Sequence, residues 1–377
     1  MLYLIIILII IITIPYIFYI LWVKIRNPFW SKQPVFNYYN IYNWLFPCGI
    51  INNSLPEITK YYNVRNIVFK NVNEVSENEK NDIIYLIQNC YYKTSTIHYF
   101  PRKCNFFPYL INNNGNTYIS LYYKKKNIVG ILTGRPLQVN LNNNIFLTYY
   151  ADYLCVDSNH RKNNISPELI YTHYYNQSHK EPAIITSLFK REHVLNSFVP
   201  LVEFNTYTFD MTTWLTYSLH SSIKIIKITK DNINLLHEYI KQSKNKFKCF
   251  ITTSIGNLLN LIITNNVLVY CTIINDTIYS AYFLRDLCTR YSKKKSIECF
   301  ASIKTCSDEL FSHSFSNVIY YLKQKYSILL MEEISDNYVI LNNILLKYSY
   351  MSKIKAAFYF YNFAITPIKR ESFCCVY

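Results

Sequence analysis

Residues Ala151 to Pro167 (ADYLCVDSNHRKNNISP) hold the residue types and order that could grip a phosphate-bearing ligand. An apolar strand ends near Val156, a polar basic loop follows, and Ser166 reads as a helix N-cap with Pro167 at the first helical position and Glu168 in the first turn. Unpaired main-chain N–H groups and the helix dipole at such an end favour an anion. Arg161 and Lys162 would add charge-assisted contacts. A solvated turn ahead of a helix has the same composition, so the segment alone leaves both readings open.

Other reactive side chains read more plainly. Cys155 lies in an apolar strand with no histidine near it in sequence, the pattern of a buried structural thiol rather than a nucleophile. His160 is a loop residue, with phosphate binding or proton transfer as the alternative to a solvated position. Cys374 stands fourth from the end, as a prenylation box requires, but Tyr377 is a poor last residue for it. Cys374 and Cys375 are expected to pack as a short apolar patch, with palmitoylation as the alternative. The 11 cysteines include no Cys-x-x-Cys pair, so no metal site and a reducing compartment are expected.

The elements that must position these residues follow from patterning. Ser76 and Glu79 form a capping box before Ile83, Ile84, Leu86 and Ile87, which predicts a helix to about Tyr92. Strands are predicted over 117–123, 127–133 and 146–156, then a helix from Ser166 towards Ser178 and a short strand over 183–187. Helices over 232–244, 308–325 and 336–347 alternate with strands over 267–274, 278–283, 327–331 and 358–363. The fold class is therefore α/β with a mixed, largely antiparallel sheet.

Half the residues are apolar and 16% are charged, which excludes a disordered chain. The net charge of +16 suits anionic partners without choosing among them. Lys124–Lys126 and Lys293–Lys295 read as solvated turns, and no helix-turn-helix, zinc-finger or RNP pattern accompanies them, so no nucleic acid is expected.

Residues 2–22 carry no charge and are long enough to span the hydrocarbon core. Tyr16, Tyr19 and Trp22 lie towards the end of this run and Lys24, Arg26 and Lys32 follow, which predicts a single-pass anchor with the body in the cytosol. A cleaved signal peptide would need a basic start and a small-residue cleavage site. The sequence has Met1 before the run and Trp-Val-Lys-Ile-Arg at its end.

Tyr153-Leu154-Cys155-Val156, Arg161 and Ile165-Ser166-Pro167 with Leu169-Ile170 resemble the N-myristoyltransferase signature of Phe-Leu-Cys-Val, basic loop, Leu-Ala-Pro and Leu-Ile. Phe29-Trp-Ser-Lys-Gln-Pro-Val35 is similar to the family's Phe-Trp-x-Thr-Gln-Pro-Val element, with Lys32 for Thr. Asn127-Ile-Val-Gly-Ile131 resembles the strand before the signature, and Phe358-Tyr-Phe-Tyr-Asn-Phe363 resembles Tyr-Tyr-Leu-Tyr-Asn-Trp. The family's Gly-rich turn falls on Tyr350–Lys355, which has no glycine, and the basic loop is thinned to Arg161, Lys162, Asn163 and Asn164.

The resemblance implies two halves of the GCN5-related N-acetyltransferase type, at 27–205 for acyl-CoA and 206–377 for peptide, after an anchor at 1–26. It implies a monomer transferring a fatty acyl group, myristoyl by family, from acyl-CoA to an N-terminal glycine, with no cofactor beyond that co-substrate. Carried over by position, the N–H groups of Tyr153 and Leu154 form the oxyanion hole and the terminal carboxylate of Tyr377 is the base. Phe29, Trp30, Gln33, Leu154, Cys155, Val156 and the run Arg161, Lys162, Asn163, Asn164, Ile165, Ser166 and Pro167 would contact CoA. The rival expectations are a small-amine acetyltransferase and a membrane-anchored binding protein without turnover.

Overall fold

The computed structural model describes residues 2–46, 49–92, 94–195, 197–345 and 347–377. Helix α1 (Leu2–Arg26) is uncharged until Lys24 and is long and apolar enough to cross a membrane, a test that a signal sequence also passes. Its apolar span is not buried against the body. After it come α2 (Ile41–Leu45), β1 (Gly49–Ile50), β2 (Ile67–Asn71), α3 (Glu77–Cys90), β3 (Ile97–Tyr99), α4 (Lys103–Phe106), β4 (Tyr118–Lys124), β5 (Asn127–Leu141), β6 (Asn144–Val156), α5 (Ile165–Lys180), β7 (Ser187–Glu192) and β8 (Val202–Asp210). The rest supplies β9 (Ile223–Lys227), α6 (Ile233–Ser243), β10 (Cys249–Thr252), α7 (Ile255–Ile263), β11 (Val267–Ile274), β12 (Thr277–Tyr291), β13 (Lys294–Lys304), α8 (Asp308–Leu322), β14 (Ile328–Glu332), α9 (Asn337–Leu345), β15 (Ser352–Tyr361), β16 (Phe363–Ala364) and β17 (Phe373–Val376).

Every described strand except β1 and β16 joins one mixed sheet, ordered β17-β10-β5-β6-β7-β15-β8-β14-β13-β12-β11-β9, with β4 and β2 branching from β5 and β3 beside β12. A β, β, β, α, β order occurs twice, as β4 to β7 around α5 and as β11 to β14 around α8. In both, the strands flanking the helix in sequence lie parallel in the sheet, β6 with β7 and β13 with β14. Position 205/206, where the halves were expected to meet, falls inside β8, which hydrogen-bonds to both β15 and β14.

Local sequence accounts for the elements around the prospective site. The Ser76 hydroxyl accepts the Glu79 N–H while Glu79 accepts the Ser76 N–H, so α3 begins where the capping box predicts. The predicted start of α5 is corrected: Asn164, left-handed at φ 59°, is the N-cap residue, and Ser166 is already inside the helix. Pro167 sits in the first turn, where the N–H it lacks has no intrahelical acceptor to bond. The strand expected over 183–187 is also corrected. Ile184 N–H closes a turn onto the Glu181 carbonyl, and the strand runs from Ser187 to Glu192. Most of the turn expected over 350–355 is strand, since Ser352 to Lys355 pair with Thr208 to Asn205.

Helix α5 lies close on β5. A Cβ added at Gly130 would come 2.9 Å from Leu169 Cδ1, and one at Gly134 only 2.5 Å from His173 Nε2. Cys374 and Cys375 are buried in β17, the apolar patch the sequence suggested. That burial leaves neither sulfur accessible to a lipid transferase.

Candidate active site

Strands β6 and β7 pair only at Tyr149 with Ser187 and Tyr150 with Leu188, and then separate. A parallel pair that parts leaves main-chain groups to be satisfied by something other than the ladder. Along β7, Phe189 packs on the face that holds Tyr174, Tyr359 and Tyr361, while Leu188 packs on the opposite face with Tyr150, Phe358 and Tyr377. The gap between the strands therefore connects the two faces of the sheet.

A cavity opens on each face. One of about 320 Å³ is lined by Trp30, Leu132, Leu154, Ile170, Phe189 and Tyr361 and is mostly apolar. The other, of about 440 Å³, is lined by Tyr109, Arg135, Tyr150, Arg285, Glu298 and Tyr377 and is mixed in polarity. Both are of ordinary ligand-site size. Tyr91, Asp152, Tyr153, Lys190 and Arg191 line both, so they stand where the cavities meet.

At that junction β6 is irregular. Ile131 pairs with Cys155 and Thr133 with Asp152, so Tyr153 and Leu154 oppose one residue, Leu132, in a β-bulge. Tyr153 takes φ 53°, rare for an aromatic residue and a sign of local constraint. Its N–H donates to Asp152 Oδ1 at 2.8 Å, and the Thr133 hydroxyl donates to the Asp152 carbonyl at 3.0 Å. Burial pushes the Asp152 carboxyl above the usual range, with Arg135 opposing it.

Of the residues expected to hold CoA, Trp30 and Leu154 line the apolar cavity. Trp30 stacks on Phe189 at 5.8 Å, and Phe29 packs edge-on against Tyr61. Gln33 ties the N-terminal element to β15: its Nε2 donates to the Phe29 carbonyl and its Oε1 accepts the Tyr361 hydroxyl at 2.6 Å. Cys155 points away from both cavities into the core beneath α3, where burial pushes its thiol up to about 12. Val156 and Ile165 pack together in a small cluster with Leu169. Lys162 and Asn163 are exposed, and Ser166 and Pro167 are half-buried.

Two side chains of the loop find partners close by. Arg161 turns back, donating to the Cys90 carbonyl at 2.7 Å and the Val156 carbonyl at 3.3 Å, so it braces the loop against α3. His160 meets Asp157 at 3.2 Å and is a local partner of that loop.

Sequence reasoning missed the charges beside the mixed cavity. Lys190, Arg285, Glu298 and Glu332 form one network: Lys190 pairs with Glu332, and Arg285 reaches Glu298 at 2.5 Å and Glu332 at 3.3 Å. Burial and the Glu298 charge outweigh the cations at Glu332 and raise its carboxyl above the usual range, while Arg285 and Lys190 overcome the same burial at Glu298 and hold it below that range. Tyr377 is 3% exposed; its ring lies under Arg285 and Arg135, and its hydroxyl is 3.4 Å from Arg285 Nη2. Arg135 is 1% exposed, and among the described residues its Nη1 has no hydrogen-bond partner. The one available signal was a charged residue interrupting an otherwise apolar strand, as Glu298 does between Ile297 and Cys299.

No family sequence model matches the chain, and no curated protein matches it by sequence. Solved structures do. A crystal structure of the Saccharomyces cerevisiae N-myristoyltransferase with bound myristoyl-CoA superposes with a TM-score of 0.75 at 12% identity, covering 91% of this chain and 89% of that one. A second from the same organism gives 0.73 at 13% identity, covering 91% and 94%. A GCN5-related N-acetyltransferase from Kribbella flavida gives 0.50 at 7% identity, covering 79% and 72%. Over nine-tenths of its length this chain therefore has the fold of the N-myristoyltransferases, an acyltransferase fold of the GCN5-related kind.

Proposed function

We propose that the chain is a glycylpeptide N-acyltransferase, moving a long-chain acyl group, myristoyl by family, from acyl-CoA to an N-terminal glycine amine. The observation that carries this reading is the meeting of an apolar and a mixed cavity through the gap between β6 and β7, at Tyr153. The acyl chain takes the apolar side, the peptide the side of Tyr150, Arg135 and Tyr377. CoA runs outward along β6 to the start of α5, where the Ile165 and Ser166 N–H groups and the helix dipole suit its pyrophosphate.

The glycine ammonium first gives a proton to a carboxylate, which is the terminal carboxylate of a chain that ends at Tyr377. The free amine attacks the thioester carbonyl, and the oxyanion is met by the Tyr153 and Leu154 amides. The C–S bond breaks, CoA leaves as its thiol with a proton from the amine nitrogen, and the amide remains. Side-chain identity at the bulge matters little, because the donors are main-chain. Helix α1 would anchor the enzyme in a membrane with its body in the cytosol, near lipidated products.

One observation favours a second reading, an acyl-CoA-binding protein without turnover: the Tyr153 amide is occupied by the Asp152 carboxylate. Full-length protein in detergent, incubated with myristoyl-CoA or acetyl-CoA and a Gly-initiated peptide, decides among them. Myristoyl-peptide formation supports the proposal. Acetyl transfer alone assigns the small-acyl reading, and binding without product assigns the lapsed one.

A further inference from the structure

Helix α2 and the residue after it present a run of apolar side chains that the body does not cover. Tyr42 is 68% exposed, Leu45 68% and Phe46 65%, and Ile41 and Trp44 are also exposed. Five such side chains in six positions form an apolar surface of the kind that marks an interaction site. Its place relative to α1 identifies the partner. The Tyr16 hydroxyl donates to the Tyr39 carbonyl at 2.5 Å, which fixes the start of α2 beside the second half of α1. Six residues of helix separate Tyr16 from Trp22, or about 9 Å at the helical rise. Trp22, with Lys24 and Arg26 behind it, marks the interfacial end of the span. Helix α2 then lies at the depth to which interfacial helices sink, roughly 5–10 Å below the headgroups.

We infer that residues 41–46 form a second membrane contact, an interfacial helix that lies in the cytosolic leaflet and fixes the body against the bilayer surface. The inference rests on the proposal that α1 spans the membrane. Trp44 gives the segment a built-in reporter and is suited to the interface: its ring packs at a tilt against Phe36, 4.9 Å between centroids, and its Nε1 donates to the Tyr38 carbonyl, so no polar atom is lost in lipid. The bilayer face adds a consequence for the enzyme. Phe36 and Trp44 join α2 to the element Phe29–Val35 whose Trp30 lines the apolar cavity, so a body docked by α2 holds that cavity at the membrane surface, where a long-chain acyl-CoA partitions.

The test uses the full chain in vesicles of neutral and anionic phospholipid brominated either near the headgroup or near the chain end, and compares wild type with Trp44→Phe, Leu45→Trp and Trp22→Phe. The expected result is loss of Trp44 fluorescence, stronger with bromine near the headgroup, and further loss from the new tryptophan in Leu45→Trp. Quenching of Trp22 with none at positions 44 and 45 overturns the inference and leaves the anchor standing. No quenching of Trp22 removes the anchor, and the inference with it. Trp44 shielded from aqueous iodide in proportion to protein concentration, without bromine quenching, assigns the surface to a second copy and also overturns it.

Discussion

The Asp152 carboxylate accepts the main-chain N–H of Tyr153, its own neighbour, at 2.8 Å, where the two cavities meet. A thioester oxygen bound at that N–H must displace it. A hydrogen bond to a charged group contributes about 1.5–3 kcal/mol, so Asp152→Ala should bind myristoyl-CoA roughly 10- to 100-fold more tightly. Isothermal calorimetry on the full chain measures this. Unchanged or weaker binding would show that the donor docks elsewhere than the bulge.

Tyr377 is buried at the end of β17, whose Val376 carbonyl accepts the Thr253 N–H. A terminal carboxylate held there can act as a base only while nothing follows it. Adding three residues after Tyr377 should lower kcat by about 100-fold or more, the usual contribution of a general base, with acyl-CoA affinity unchanged. Single-turnover assays separate the two effects. Full turnover by the extended chain, with an unaltered melting temperature, would move the base to another group.

Much of the fold was legible because strong local signals agreed with it. Strand β11 matches its predicted bounds because Val267–Ile274 is an apolar run between Asn265-Asn266 and Asn275-Asp276. Strand β7 was misplaced for the opposite reason. Its second half, Lys190-Arg191-Glu192, faces the cavities and is charged, so a rule seeking apolar runs settled on Ala183–Ser187 just before it. The bulge at Tyr153 left no mark in composition; the family resemblance pointed to the Tyr153 and Leu154 amides but not to a bulge there. The charged network was not legible as a whole: Arg285 and Glu298 face each other across the β12–β13 hairpin, but Lys190 and Glu332 come from β7 and β14, and no spacing rule joins these two to that pair.

Gly134 sets how close α5 lies to β5. Its missing Cβ leaves room for His173 Nε2 at 2.5 Å and Gln177 Oε1 at 2.9 Å, and neither can remain if the atom is added. Gly134→Ala should cost about 1–3 kcal/mol of stability, as overpacking in a dense core does. It should also raise KM for acyl-CoA, because His173 and Leu132 line the apolar cavity. Urea denaturation and initial rates test both. A variant as stable as wild type would mean that α5 can lift off the sheet freely.

His173 is buried on α5, with Nδ1 2.8 Å from the Ser120 hydroxyl, and burial lowers its pKa from the ordinary 6.5 to about 3. The folded protein therefore holds it neutral. Above pH 6.5 the unfolded chain is neutral at this position too, and no difference arises. As pH falls below 6.5 the unfolded histidine takes a proton that the folded one refuses, so stability drops by up to about 1.4 kcal/mol per pH unit until the folded group titrates. His173→Gln removes that slope, though it loses the Ser120 contact and starts less stable at pH 8. Urea midpoints measured from pH 8 to pH 4 should therefore converge between wild type and variant as acid is added. Parallel curves across that range would mean that His173 takes up its proton in the folded state and that the floor of the cavity is wet.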